Sequence, residues 1–137
     1  MINEQLKLLI EYRLSESKET LREAKILLSK SAFRGSINRS YYAMFYAALG
    51  LLATKGLGSS KHSGIISFFD REFVKTGIFS KELSRSFHRA FDERQASDYG
   101  EMLQPDQESA TLLFEQAQIF VDEITEYLNT NIISEIS

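Results

Sequence analysis

Apolar residues recur at alternating steps of four and three along most of this chain, the period of an α-helix with one buried face. The first stripe is Ile10, Leu14, Ser17, Leu21, Ala24 and Leu28, which predicts a helix over residues 3–30, charged on its other sides. After a short break at residues 31–36, a second helix starting at Phe33 or Ser36 and running to Lys55 carries two stripes. One is Ile37, Tyr41, Met44, Ala48 and Leu51; the other is Asn38, Tyr42, Phe45, Leu49 and Leu52. A helix apolar on that much of its circumference belongs at the centre of a bundle. Gly56 suits its left-handed C-cap. Ser59 or Ser60 can cap a third helix over 61–76, which Gly77 closes. Ser80 caps a fourth over 81–97, a loop covers 100–104, and Pro105 falls in the first turn of a fifth. That last helix shows Leu113, Ala117, Phe120, Ile124 and Tyr127 or Leu128 in the same four–three rhythm. No convincing period-two strand occurs. The expected fold is all-α: one up-and-down antiparallel bundle of four to five helices over residues 1–130, with residues 131–137 a frayed tail.

Composition changes this picture in two respects. The 137 residues include no Cys, which removes disulfides, thiolate nucleophiles and Cys-ligated zinc and fits a reducing cytoplasm. No basic stub with an apolar run opens the chain, and no apolar stretch approaches the ~18 residues that span a bilayer, so neither export nor a membrane partner is expected. The net charge of -3 hides an asymmetry: residues 101–137 hold eight acids and no Lys or Arg, so all 16 basic residues lie earlier. A basic face for a polyanion is one reading, and an acidic helix with a solvated face is the other.

The chemistry sits where polar residues interrupt apolar stripes. On the fourth helix Leu83, Phe87 and Phe91 are followed on the same face by Arg94 and Asp98, with Tyr99 next. On the second, Asn38 opens a stripe one turn before Tyr42, beside Arg39 and Tyr41. These residues either form a buried polar clamp, with Asn38 satisfying a helix end or a tyrosine hydroxyl, or line a cleft for phosphate or a nucleotide. His62 falls in the first turn of the third helix, where an exposed or capping role is expected. His88 lies off the Phe87/Phe91 stripe, on a solvated basic edge. Two isolated histidines support no metal site, and no phosphate loop, dinucleotide fingerprint or nucleophile elbow calls for a cofactor. Of 16 aromatic residues, 12 lie between Phe33 and Tyr99. Phe68, Phe69, Phe73 and Phe79 exceed what one seam needs, which suggests a patch in part covered by a second copy in a homodimer, with core filling as the competing reading.

The segment Ser36-Ile37-Asn38-Arg39-Ser40-Tyr41-Tyr42-Ala43-Met44-Phe45 resembles the Asn-Arg-x-Tyr-Tyr-Ala-x-Phe signature of HEPN-domain proteins. Lys61-His62-Ser63-Gly64, Phe73-Val74-Lys75-Thr76-Gly77 and Arg94-Gln95-Ala96-Ser97-Asp98-Tyr99 look like later blocks of that family, in the right order. The resemblance is to the small stand-alone prokaryotic members. It implies a helical bundle, commonly homodimeric, working beside a minimal nucleotidyltransferase in a toxin–antitoxin-like pair. It further implies RNA or nucleotide binding through Asn38, Arg39, Tyr41, Tyr42, Arg94, Asp98 and Tyr99. Many HEPN proteins are metal-independent endoribonucleases with an Arg followed, after four to six residues, by a His. Here Arg94 matches the Arg, but Tyr99 stands at the His position, and His88 lies six residues on the wrong side. A tyrosine with a pKa near ~10 is a poor base at neutral pH. Three functions follow: a binding component of such a pair, a ribonuclease toxin using Arg94 with Tyr99 or with a histidine from a second copy, or a non-catalytic adaptor bundle.

Overall fold

The computed structural model describes residues 4–99 and 105–133. Among these, five α-helices follow one another: α1 Glu4–Ser29, α2 Phe33–Ala53, α3 His62–Phe69, α4 Lys81–Tyr99 and α5 Gln107–Asn131. A π-helical turn, Asp70–Val74, continues α3, and no strand occurs among the described residues. The expected 100–104 loop and the first residue of the expected opening helix, Asn3, lie outside the described residues.

Side-chain contacts fix the directions of the helices. The Ser36 hydroxyl donates to the Ala24 carbonyl at 2.9 Å, and the Ser17 hydroxyl donates to the Ala43 carbonyl at 2.6 Å. Position 50 lies against Arg13 and Ile10, so α1 runs antiparallel to α2. Phe79, just before α4, meets Tyr127 of α5 and the Phe87 ring meets Phe120, so α4 runs antiparallel to α5; Phe87 also meets Tyr41 and Leu128 lies by position 50, so α5 runs parallel to α2. Thus α1, α2, α4 and α5 alternate up and down, and α2 touches each of the others. Its two stripes give it that central place: Ile37, Tyr41, Met44, Ala47, Ala48, Leu51 and Leu52 are all buried. Small residues let α1 and α2 approach closely. A Cβ on Gly50 would stand 3.2 Å from the Arg13 Cβ and 3.8 Å from the Ile10 carbonyl oxygen. Gly50→Leu is therefore expected to lower stability by about 1–3 kcal/mol through overpacking, measured by urea unfolding.

Several boundaries differ from the sequence expectation for identifiable reasons. The carboxylate of Asp106 accepts from the Ser109 amide at 2.8 Å, so Asp106 is the N-cap of α5 and Pro105 precedes the helix instead of joining its first turn. At its other end α5 continues through Asn131, and Ile132 and Ile133 pack against the core; residues 134–137 lie outside the described residues. Lys61, not Ser59 or Ser60, is the N-cap of α3, and the Ser59 hydroxyl accepts from the Lys61 amide at 3.1 Å. Ser80 does cap α4, accepting from the Leu83 amide. The second helix ends at Ala53, not Lys55, with Thr54 as its C-cap, and Gly56 takes its positive φ two residues further on, as Gly77 does after the π turn. The third helix is not uniform. A Lys75 amide to Asp70 carbonyl bond of 2.8 Å closes a wider turn, and the Phe79 amide bonds back to the Phe73 carbonyl. Phe69, Phe73 and Phe79 are thereby buried within one chain, and Phe68 is half-buried under Arg71. Phe69, Phe73 and Phe79 thus fill core, the competing reading of this cluster, and Phe68 lies at its rim.

Candidate functional site

The site lies where α2, the start of α3 and the second half of α4 meet. Tyr41 is fully buried there, ringed by Tyr42, Phe45, His62, Phe87 and Phe91 at centroid distances of 5.2 to 6.2 Å. Its hydroxyl would be an orphan in this apolar surround, but His62 Nδ1 lies 2.8 Å away. Burial pushes the Tyr41 hydroxyl well above its ordinary pKa, so it stays a neutral phenol. The imidazole also stacks on Phe45 at 4.3 Å. His62 is thus neither exposed nor a helix cap, as the sequence had suggested; it is half-buried and fixed on two sides. A signal was present: Ile65, Ile66, Phe69 and Phe73 follow it at positions that also turn inward.

Arg94 lies over the same rings. Its guanidinium carbon is 5.0 Å from the Tyr41 centroid, 5.6 Å from Tyr42 and 5.9 Å from Phe91. Its side chain is only 13% exposed, yet its one ionic contact among the described residues, Nη1 to Asp98 Oδ2, is long at 3.4 Å. The Nε donor is buried with no partner among the described residues. Arg39 approaches Tyr42 as well, 5.2 Å from the centroid, so one tyrosine ring carries two guanidinium groups. Arg39 is better satisfied than Arg94. It donates from Nε and Nη2 to Asn38 Oδ1 at 3.1 and 2.9 Å, and it faces Glu23 at 3.6 Å.

The structure therefore brings Arg39, Tyr41, Tyr42, Arg94 and Asp98 together. It commits the Asn38 oxygen to Arg39, not to a helix end or a tyrosine hydroxyl. Tyr99 is the last residue of α4, and its side chain lies outside what the structure describes. His88 is on an exposed edge as expected, but its Nε2 meets Asp70 Oδ2 at 2.7 Å, and Asp70 also accepts from Ser84 at 2.6 Å. That pairing ties the π turn to α4, away from Arg94. Among the described residues no group of three or more His, Cys, Asp or Glu could hold a metal ion, and no helix is long and apolar enough to cross a membrane.

The blocks Asn38 to Phe45, His62 and Arg94 to Asp98 thus meet in one packed site. The profile of the HEPN domain matches residues 10–127, most of the chain. The chain belongs to the HEPN family. Among HEPN relatives, a UPF0332 protein of Thermotoga maritima is 42% identical over 90% of this chain and 92% of its own length. Two proteins of Methanocaldococcus jannaschii are also similar. "Putative toxin MJ0605" is 34% identical over 93% of this chain and 91% of its own. "Putative toxin MJ0142" is 30% identical over 87% and 81%.

In this HEPN chain the neutral His62 has a measurable signature. Burial first, and the nearby Arg94 charge second, hold the imidazole below its ordinary value of 6.5. Between that lowered value and 6.5 the unfolded chain binds more protons than the folded one, so stability falls as pH drops through the window. His62→Asn removes this contribution. The loss of stability on acidification from about pH 7 to about pH 5 should be smaller in the variant, read from urea midpoints. Glu93, raised by burial, acts in the opposite direction but is common to both proteins, so the difference reports His62.

Proposed function

We propose that this HEPN protein is a toxin-like component that binds single-stranded RNA, or the phosphates of a nucleotide, over the Arg94–Tyr42–Arg39 surface. The carrying observation is Arg94: a nearly buried guanidinium, stacked on three rings, with one long ionic contact and an unpartnered Nε among the described residues. A cation held out of water normally spends its donors within the protein. One that keeps them is ready to receive an anion, and the guanidinium fork matches the two free oxygens of a phosphodiester. Tyr42 offers a base a π-face beside that charge.

The toxin-like part of the reading draws support from the printed names of the two Methanocaldococcus jannaschii relatives. The pairing with a minimal nucleotidyltransferase, and a homodimeric state, follow from the family resemblance. Titration of a fluorescently labelled single-stranded RNA, followed by anisotropy at two salt concentrations, tests the site. Saturable binding that weakens with salt supports the reading. Absence of binding to RNA and to nucleotides at low salt overturns it.

A further inference from the structure

α1 carries a second stripe that the bundle does not use. Ile10, Leu14, Ser17, Thr20 and Ala24 turn inward, while Leu8, Tyr12, Ser15, Glu19, Arg22 and Ile26 share the opposite side. Their spacing of 4, 3, 4, 3, 4 is that of a coiled-coil seam. Leu8 is 63% exposed, Tyr12 58% and Ile26 45%, so three large apolar side chains face water along one line. The polar members at its centre include Glu19 and Arg22, paired at 2.6 Å on the surface. Beside the stripe, between α1 and the end of α5, runs an open groove of about 550 Å³ whose lining includes Ser15, Lys18, Glu19, Arg22 and Ile133.

The stripe is complementary to itself in reverse. Two copies of α1 laid antiparallel about its midpoint set Leu8 against Ile26 of the second copy, Tyr12 against Arg22 and Ser15 against Glu19, each twice by symmetry. These are an aliphatic pair, a guanidinium on an aromatic face, and a hydroxyl donating to a carboxylate. A parallel pair in register would stack Glu19 on Glu19 and Arg22 on Arg22 instead. Charge on the flank agrees with the antiparallel order: exposed Glu11 meets exposed Lys25 of the second copy at both ends. Near the axis Glu16 and Lys18 meet their own copies. Arg13 holds Glu16 at 3.1 Å, so Lys18 is the flanking charge that opposes the pairing.

We propose that the outer face of α1 is a self-docking surface, on which a second copy of this chain packs its own α1 antiparallel and seats Tyr12 on Arg22 at the groove. The inference goes beyond the anion-binding reading and uses none of the residues of the Arg94 surface, so the two stand or fall separately. It also differs from a contact through the phenylalanines of α3 and the π turn, which are spent largely on core. One helix pair of this length covers less than the roughly 1,200 Å² of a standard interface, so a reversible association with a Kd of roughly 10–100 μM is expected.

The test is sedimentation equilibrium of the full chain over concentrations that bracket that Kd, with each variant checked by circular dichroism. Glu11→Lys and Lys25→Glu should each weaken association about 10-fold, because each turns two opposite-charge contacts into like-charge ones. The chain carrying both changes should recover to within about 3-fold of wild type. Positions 11 and 25 lie about 21 Å apart along one helix, so that recovery cannot arise inside a single chain. Lys18→Gln should tighten association about 3-fold, and Tyr12→Glu should abolish it. If another face already joins two copies, the α1 pairing is a further step of association, and the same variants move that step. The chain has no cysteine, so disulfide trapping reads the direction. A mixture of Leu8→Cys and Ile26→Cys chains should cross-link readily. Leu8→Cys alone should not, since its two copies would lie about 27 Å apart along the seam. Charge variants that associate as wild type does, a doubly changed chain that fails to recover, or cross-linking of Leu8→Cys alone as fast as the mixture each overturn the inference. So does a wild type that shows no association the α1 variants can move, which would leave the stripe to a different molecule.

Discussion

Arg94→Ala is expected to weaken single-stranded RNA binding by about 10- to 100-fold, the equivalent of one charge-assisted hydrogen-bonded contact of about 1.5–3 kcal/mol. The reason is specific to the geometry. Arg94 is nearly buried, so its charge acts in a low-dielectric surround, and among the described residues the carboxylate that claims it, Asp98, sits 3.4 Å away. An exposed surface arginine would show a far smaller effect. Salt adds a second reading. Loss of one phosphate contact should reduce the slope of log affinity against log salt by about 0.7 for a single strand. Arg94→Lys separates charge from shape. A lysine at 94 should restore the slope but little of the affinity, because an ammonium neither stacks on Tyr41 and Tyr42 nor makes a forked contact. Loss of the aromatic contact is expected to lower stability by about 1–2 kcal/mol, which leaves a folded protein for the binding measurement. An Arg94→Ala variant that binds RNA as wild type does, with an unchanged salt slope, would remove Arg94 from the site.

The largest effect on stability is expected at Phe87. This residue is fully buried, and its ring meets Phe120 at 4.9 Å, Phe69 at 5.6 Å and Tyr41 at 6.2 Å. One side chain of α4 thus joins α5, α3 and α2. Phe87→Ala removes the ring and leaves a void that four helices cannot close together, so a loss of about 3–5 kcal/mol is expected. In a domain of this size that corresponds to a fall in Tm of about 10–20 °C. Phe68→Ala serves as the comparison: Phe68 is half-buried at the rim under Arg71, and its loss should cost about 1 kcal/mol. Similar Tm values for the two variants would mean that the aromatic cluster is not the centre of the core. Because Phe87 supports Tyr41 from below, Phe87→Ala should also loosen the Tyr41–His62 bond.

The helices were legible because their stripes are long and regular. Both stripes of α2 announced a central helix, and Leu83, Phe87, Phe91, Arg94 and Asp98 announced one face of α4 turning from apolar to ionic. Periodicity reports which way a residue faces on its own helix, and for these positions it was sufficient. It fails where the period itself changes. The π turn after Phe69 adds a residue to one turn and re-aims Phe73, so an apparent excess of aromatics became core. His62 was missed for a related reason. Its place at the start of a helix suggested solvent, whereas only the packing of α3 across α2 decides that its ring lies under Phe45 and beside Tyr41.

The sequence by itself determined the all-α class and the family, and it marked the polar interruptions on α2 and α4 that the fold then brings together. Each of these is written in local spacing or in residue identity. Tertiary structure decided how fully each cation is satisfied. Arg39 and Arg94 look alike in sequence, but Asn38 and Glu23 occupy the first, while the rings of Tyr41, Tyr42 and Phe91 cover the second and leave it, among the described residues, Asp98 at 3.4 Å. It also decided that an imidazole rests on the same tyrosines as that cation, because 32 residues of separation between His62 and Arg94 are closed by the folding of α3 and α4 onto one helix.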